Sequence, residues 1–145
     1  MGKSLVESAT EGRMKPLRGS CLCGEVAYEC EPDIVNFRYC FCPRCQKATG
    51  SGHVAHIFVH PDKFAWKRGK EKVVRYDLPE ARSFSTAFCG KCGCPLPCLT
   101  RGDSAYIIPA GSLDEDPGIK PEVTIFREHQ APWYVDPTDL PREAD

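Results

Sequence analysis

The sequence lacks both a charge excess of either sign and a long apolar run. Lys and Arg number 19 against 20 for Asp and Glu, so no basic surplus indicates a nucleic-acid or anionic-membrane partner. In residues 1–16, after Met1, only Leu5, Val6 and Met14 are large and apolar, too few for a signal-peptide core or a spanning helix. We therefore predict a cytoplasmic protein with no nucleic-acid and no membrane partner.

Amphipathic helical periodicity is also scarce, and short alternating runs separated by turn residues take its place. Such runs predict about eight or nine short strands, at 25–30, 34–41, 54–60, 64–67, 73–78, 83–88, 105–110 and 123–126. This pattern favours an all-β fold class. The 145 residues suit one domain, and we expect a flexible segment over residues 1–16, the folded domain over 17–142 and a tail over 143–145.

Cysteine, by contrast, is abundant, with ten residues in a chain long enough to fold without disulfide staples. In a reducing cytosol, cysteines at this density are more often metal ligands than disulfides. Two pairs, Cys21/Cys23 and Cys89/Cys92, lie on turns next to predicted strands. Together they offer four thiolates, which is the ligand pattern of an all-cysteine structural zinc site.

Three further thiols, those of Cys40, Cys42 and Cys45, fall within six residues. Pro43 suits the first position of a short helix and Gly50 suits the residue past its end. Cys45 would then lie in the first turn, where the helix dipole and unpaired amides favour a thiolate. Because structural zinc takes four protein ligands and catalytic zinc keeps a position open, a fourth ligand of this trio would decide the function.

The spacing of the cysteines leaves three partitions open. In the first, Cys94 or Cys98 completes the trio, and both zinc sites are closed. In the second, Cys89, Cys92, Cys94 and Cys98 form a local tetrad and the others regroup. In the third, the trio keeps an open position, and Cys30, Cys94 and Cys98 are ordinary buried thiols. Iron–sulfur ligation also fits the residue types, but the knuckle-like C-x-x-C-G turn favours zinc.

Four motifs recur in order along residues 17–142 and resemble the glutathione-dependent formaldehyde-activating enzyme family, also called the GFA or CENP-V type. They are Gly19-Ser20-Cys21-x-Cys23-Gly24-x-Val26, Cys40-x-Cys42-x-x-Cys45-Gln46-Lys47-x-Thr49-Gly50, Phe88-Cys89-x-x-Cys92-Gly93-x-Pro95-Leu96 and Ala131-Pro132-Trp133. The resemblance implies an Mss4-like fold of coiled antiparallel sheets. It also implies two zinc ions per chain, a structural one on Cys21, Cys23, Cys89 and Cys92 and a second, open one on Cys40, Cys42 and Cys45.

The function that the resemblance implies is a carbon–sulfur lyase or synthase acting on a small thiol such as glutathione and an aldehyde such as formaldehyde. A non-enzymatic zinc module for protein binding or chaperoning is the alternative, since fold does not establish function. One departure stands out, because Phe41 occupies the place of the family's usual His, so an imidazole is missing there.

Acid–base residues are not assigned from the sequence. His53 follows the trio closely enough to reach the site, and Arg44 and Lys47 could attract glutathione carboxylates, although solvated charges are the ordinary expectation for both. We expect Trp133 and Tyr134 either to plug the edge of the core or to form a wall of the pocket.

Overall fold

A computed structural model describes residues 15–144, so residues 1–14 of the expected N-terminal segment and the last residue of the tail lie outside the described part. Ten short strands and one α-helix, α1 (Pro43–Thr49), make up most of the regular structure of that part. The strands are β1 (Leu17–Ser20), β2 (Ala27–Cys30), β3 (Ile34–Cys40), β4 (Val54–Val59), β5 (Phe64–Arg68), β6 (Val73–Asp77), β7 (Ser85–Cys89), β8 (Cys98–Leu99), β9 (Tyr106–Pro109) and β10 (Val123–Ile125).

The strands form three small sheets, with orders β1-β2-β5, β10-β3-β4-β9-β8 and β6-β7. Every pairing is antiparallel except that of β10 with β3, which is parallel. A long connection from β9 returns the chain to the edge of β3, and this path gives β10 its parallel direction. The prediction of an all-β, Mss4-like fold is confirmed.

Two strands were not predicted from the sequence. β1 carries only Leu17 as a large apolar residue, and β8 has two residues following Pro97, so neither shows the alternation on which strand prediction depends. Tertiary pairing creates both of them: β1 pairs with β2 along all four of its residues, and β8 pairs with β9.

The main core lies on one face of the β3–β4–β9 sheet. Phe37, Ile57, Val59 and Ile108 point into it and are at most 5% exposed. Tyr28 joins this core from β2 and donates or accepts a 2.6 Å hydrogen bond with Ser112, which satisfies its buried hydroxyl. Because side chains alternate along a strand, the residues between these positions face the other side of the sheet, where the candidate site lies.

The short helix has the ends that its sequence predicts. Pro43 occupies the first turn, the Cys42 sulfur accepts a hydrogen bond from the backbone N–H of Cys45, and Gly50 adopts the left-handed conformation (φ 70°) that ends the helix. Within residues 15–144 the structure contains no helix with the length and apolarity needed to cross a bilayer.

Candidate metal centres and the adjoining cavity

The four cysteines of the predicted structural site come together from two distant turns. Cys21 and Cys23 lie between β1 and β2, Cys89 ends β7, and Cys92 lies in the turn after it. Their sulfur atoms all lie within 4.8 Å of one another, with 3.5 Å between Cys21 and Cys23 and 3.9 Å between Cys23 and Cys89. Sulfur atoms in a tetrahedral zinc site are about 3.8 Å apart, given Zn–S bonds of about 2.3 Å. The donor set and its spacing therefore fit a four-sulfur metal ion.

Backbone amides support this tetrad. The N–H of Val26 donates to the Cys21 sulfur at 3.3 Å, and the N–H groups of Lys91 and Cys92 donate to the Cys89 sulfur at 3.4 and 3.5 Å. Such bonds favour the thiolate form that a metal requires. Desolvation opposes ionisation of Cys92, but hydrogen bonds from the backbone of Cys94 and Cys23 lower its pKa to about 6.

The two turns of the tetrad are also tied to neighbouring elements. The Arg68 guanidinium donates twice to the carbonyl oxygen of Gly24, at 3.0 and 2.8 Å, and Lys91 pairs with Glu25 at 3.0 Å. Gly69 adopts φ 72°, and a side chain there would overlap the carbonyl oxygen of Glu25. The C-x-C turn is thus held by the end of β5 independently of the sulfur atoms.

The trio lies where β3 runs into α1. Cys40 ends the strand, Cys42 caps the helix and Cys45 lies in its first turn, so the strand end and the helix cap bring the three sulfur atoms within 4.8 Å of one another. The Cys45 thiol donates to Cys40 at 3.3 Å. That hydrogen bond lowers the pKa of Cys40 to about 6 against the opposing effect of burial, and raises the pKa of Cys45.

The remaining cysteines join neither group. Among residues 15–144, no fourth Cys, His, Asp or Glu atom lies with the trio. The Cys94 thiol donates to the carbonyl oxygen of Pro95, Cys98 lies 3.7 Å from a guanidinium nitrogen of Arg75, and Cys30 is buried in the main core. Of the three partitions that the spacing allows, the geometry matches the one in which the trio has no fourth ligand from the described part of the chain.

A cavity of about 700 Å³ adjoins the trio, and all three of its cysteines line it. The β3–β4–β9 sheet and α1 contribute to the lining, together with a continuous segment, residues 82–88, that we call the 82–88 wall. This volume falls in the range of small-molecule sites. Three arginines line the cavity, Arg38, Arg44 and Arg82, and no Asp or Glu of the described chain does. The cavity therefore combines soft sulfur donors with a cationic lining.

The sheet presents Arg38 and Phe58 beside the trio, and neither was identified as a candidate from the sequence. Arg38 lies two residues before Cys40 and pairs across the sheet with His56, and Phe58 lies two residues further along β4 on the same face. Burial, assisted by the Arg38 charge, lowers the pKa of His56 to about 4, so His56 is neutral at pH 7. Counting back in steps of two from Cys40 would have identified Arg38, but the sequence does not say which face is buried in the core.

The three polar residues named as candidates from the sequence, Arg44, Lys47 and His53, differ in whether they line the cavity. Arg44 lines the cavity, whereas Lys47 does not. His53 is also absent from the lining; its ring stacks on Phe41 at 4.9 Å, and its Nδ1 atom is buried without a hydrogen-bond partner. Burial lowers the pKa of His53.

The Phe41 side chain does not contribute to the cavity either. Phe41 is 1% exposed and packs against His53 and Tyr134, with the Arg127 guanidinium 5.0 Å from its ring centre. Tyr134 therefore packs against the residue between Cys40 and Cys42, on the side away from the cavity. Trp133 is 67% exposed, so it neither fills the edge of the core nor forms a wall of the cavity. The side chain of Phe41 is thus turned away from the space that a ligand would enter.

One side chain holds the start of the 82–88 wall. Arg101 donates to the carbonyl oxygens of Leu78, Ala81 and Phe84 at 2.7, 2.8 and 2.6 Å, and to the Ser85 hydroxyl at 3.1 Å. Residues 85–88 of the wall belong to β7 and are paired with β6, so Arg101 acts on the part of the wall that precedes this strand.

Comparisons with known proteins agree with this architecture. The sequence model of the family described as glutathione-dependent formaldehyde-activating enzyme matches residues 16–129. A crystal structure of a Rhodobacter sphaeroides protein, determined in a structural genomics programme, superposes with a TM-score of 0.57 at 23% identity and covers 74% of this chain and 97% of that one. At this identity the superposition speaks for the fold alone. No curated protein matches the chain significantly.

Proposed function

Because the chain belongs to the glutathione-dependent formaldehyde-activating enzyme family, we propose that it is a zinc-dependent carbon–sulfur lyase or synthase. Its reaction would form S-hydroxymethylglutathione from glutathione and formaldehyde, or make or cleave a related thiol adduct. The observation that carries this proposal is the trio, three sulfur atoms that have no fourth donor among residues 15–144 and lie at the border of a cavity of about 700 Å³.

The two cysteine groups would hold two zinc ions with different roles, one structural and one at the reaction site. Cys21, Cys23, Cys89 and Cys92 would hold a structural zinc, since four sulfur donors fill a tetrahedral shell. Cys40, Cys42 and Cys45 would hold a second zinc. When bound there, zinc supplies a Lewis acid whose remaining position favours a soft fourth ligand, because three thiolates make it a poor activator of water.

The chain's own residues would bring the two reactants together. In the reaction, the thiol sulfur adds to the carbonyl carbon of the aldehyde, a carbon–sulfur bond forms, and the C=O π pair moves to oxygen, where the thiol proton ends. No oxidant or reductant is consumed. The cavity would confine both molecules, and its cationic lining would attract an acidic thiol.

The two cysteine groups can be separated with a matched pair of variants, Cys42→Ser and Cys92→Ser. Both residues are half-buried, and serine at position 42 retains a good helix N-cap. Structural zinc contributes about 10–16 kcal/mol of binding energy in zinc-finger peptides, which exceeds or equals the usual 5–15 kcal/mol of domain stability. We therefore expect Cys92→Ser to unfold the domain, and Cys42→Ser to leave it folded with one zinc fewer and no reaction.

The measurements are zinc per chain, far-UV circular dichroism and the rate of S-hydroxymethylglutathione formation against the uncatalysed rate, since the adduct also forms unaided. Two zinc ions in the wild type, one in Cys42→Ser, and a rate above background in the wild type alone support the proposal. The proposal is contradicted if the wild type holds one zinc ion whose binding glutathione does not change, or if Cys42→Ser and Cys92→Ser both unfold. Either result would favour the non-enzymatic module.

A further inference from the structure

Arg38 is a cation inside the cavity lining for which the described residues provide no ion pair. It lies on the cavity face of β3, half-buried, and its Nε atom is buried without a hydrogen-bond partner. Buried donors in native proteins are nearly always paired, so an unpaired one calls for an explanation. Arg44 and Arg82, the other cavity arginines, are exposed and can be satisfied by water.

The neighbours of Arg38 orient it without neutralising it. Its guanidinium carbon lies 4.5 Å from the centre of the Phe58 ring, a cation–π contact that restricts the side chain and supplies no anion. His56, directly opposite on β4, carries no charge at neutral pH and offers no anion. A planar fork of donors that has no acidic partner matches a carboxylate, which guanidinium groups bind in a two-point contact.

Arg38 is a close neighbour of the trio along the strand. Arg38 and Cys40 are two residues apart on the same face, which corresponds to about 7 Å along β3. Both residues line the same cavity, so a molecule whose carboxylate meets Arg38 can place its sulfur atom at the trio without leaving that cavity.

We propose that Arg38, stacked on Phe58, forms a carboxylate subsite that selects acidic thiols over neutral or basic ones. The proposal rests on the function proposed above and narrows its substrate class, from any small thiol to thiols that carry a carboxylate within reach of the sulfur, as glutathione and cysteine do. The competing explanation is that Arg38 only balances the negative charge of the three thiolates.

The test uses S-methylglutathione, which keeps the carboxylates but has no free thiol, so its binding does not depend on the reaction. Calorimetry on the zinc-loaded protein would compare the wild type with Arg38→Gln, Arg38→Lys and Arg142→Gln. Arg142 is an exposed arginine outside the cavity lining, so its variant controls for net charge. The diethyl ester of S-methylglutathione, added to the wild type, removes the ligand's carboxylate charge without any change to the protein.

A charge-assisted hydrogen bond of this kind corresponds to about 10- to 100-fold in affinity. We expect Arg38→Gln and the diester each to weaken binding by that factor, Arg38→Lys to fall between, and Arg142→Gln to match the wild type. Combining Arg38→Gln with the diester should cause little further loss.

Equal affinity of the wild type and Arg38→Gln for S-methylglutathione would overturn the subsite, as would a diester that binds as well as the acid or a wild type that binds neither. If Arg38→Gln loses zinc but its zinc-loaded fraction binds S-methylglutathione as tightly as the wild type, Arg38 balances the charge of the thiolates and the proposed carboxylate subsite is wrong. The proposed function is judged separately by the rate of adduct formation. If the wild type binds S-methylglutathione through Arg38 but forms the adduct no faster than background, the carboxylate subsite is supported and the proposed function is contradicted.

Discussion

Replacing Arg101 with methionine is expected to loosen residues 78–85, at the start of the 82–88 wall, while leaving both cysteine groups in place. Methionine keeps much of the length of arginine but donates no hydrogen bond. The change removes four contacts of 3.1 Å or less, three to backbone carbonyls and one to Ser85. None of these partners belongs to a cysteine group.

The size of the effect follows from those contacts. A hydrogen bond contributes a net 0.5–1.5 kcal/mol or so, which gives roughly 2–6 kcal/mol for four. The Arg101 side chain is 26% exposed, so water can reach part of the segment and hydrate the freed carbonyls. We therefore expect the lower part of the range, about 2–3 kcal/mol in the free energy of unfolding. With a urea m-value of about 1–3 kcal/mol/M, the unfolding midpoint should fall by roughly 0.7–3 M.

Urea unfolding of the zinc-loaded protein measures the global effect, and amide hydrogen exchange over residues 78–85 measures the local one. Arg101→Lys is the control, because it keeps a charge near Asp77, which lies 3.8 Å from Arg101, but its single ammonium cannot reach all four partners. We expect it to lie between the wild type and Arg101→Met. The reasoning is refuted if Arg101→Met costs less than about 0.5 kcal/mol, or if exchange in residues 78–85 does not accelerate.

Two further predictions concern pH and a close backbone approach. The pKa of His56 is about 4 in the folded protein against an ordinary value of 6.5, so the unfolded state binds more protons between these pH values. Its contribution to stability is complete above about pH 6.5 and is lost as the pH falls toward 4, by on the order of 3 kcal/mol. In urea unfolding between pH 7 and pH 4, the free energy of unfolding of the wild type should therefore fall by about this much more than that of His56→Gln. An equal fall in both proteins contradicts the prediction. Gly69→Ala combines positive φ with overlap on the Glu25 carbonyl oxygen, and should cost about 2–4 kcal/mol in thermal unfolding. Gly102→Ala, where nothing lies within 4 Å of an added Cβ, should stay within about 0.5 kcal/mol, and similar losses in both variants would show that the overlap does not matter.

Much of the local structure was predictable because it depends on neighbours in sequence. The helix from Pro43 to Thr49 has the start and end that proline and glycine favour, and eight of the ten described strands overlap the predicted runs. The exceptions, β1 and β8, form because a partner strand supplies the hydrogen bonds, which no local pattern records. Family membership, predicted from four separated motifs, is confirmed by the match over residues 16–129.

The site was only partly predictable. The sequence placed Cys40, Cys42 and Cys45 within one strand-to-helix turn, where chain connectivity alone keeps their sulfur atoms close. It could not tell that His53 and Phe41 stack on each other away from the cavity, or that His56 and Arg38 face into it. Which face of a strand meets the core depends on residues far along the chain, and a shift of one residue would exchange the two faces.

By itself, the sequence determined which thiols can share a metal through a short turn, and it determined the family. Only the tertiary structure decided that Cys94 and Cys98 stay outside the trio, because it directs Cys94 to the Pro95 carbonyl and places Cys98 beside Arg75. It also decided that the trio borders a cavity whose lining carries three arginines and no acid of the described chain. The physical reason is range: chelation within a turn is set by a few backbone dihedral angles, whereas a cavity exists only where sheets from distant parts of the chain pack without filling the space between them.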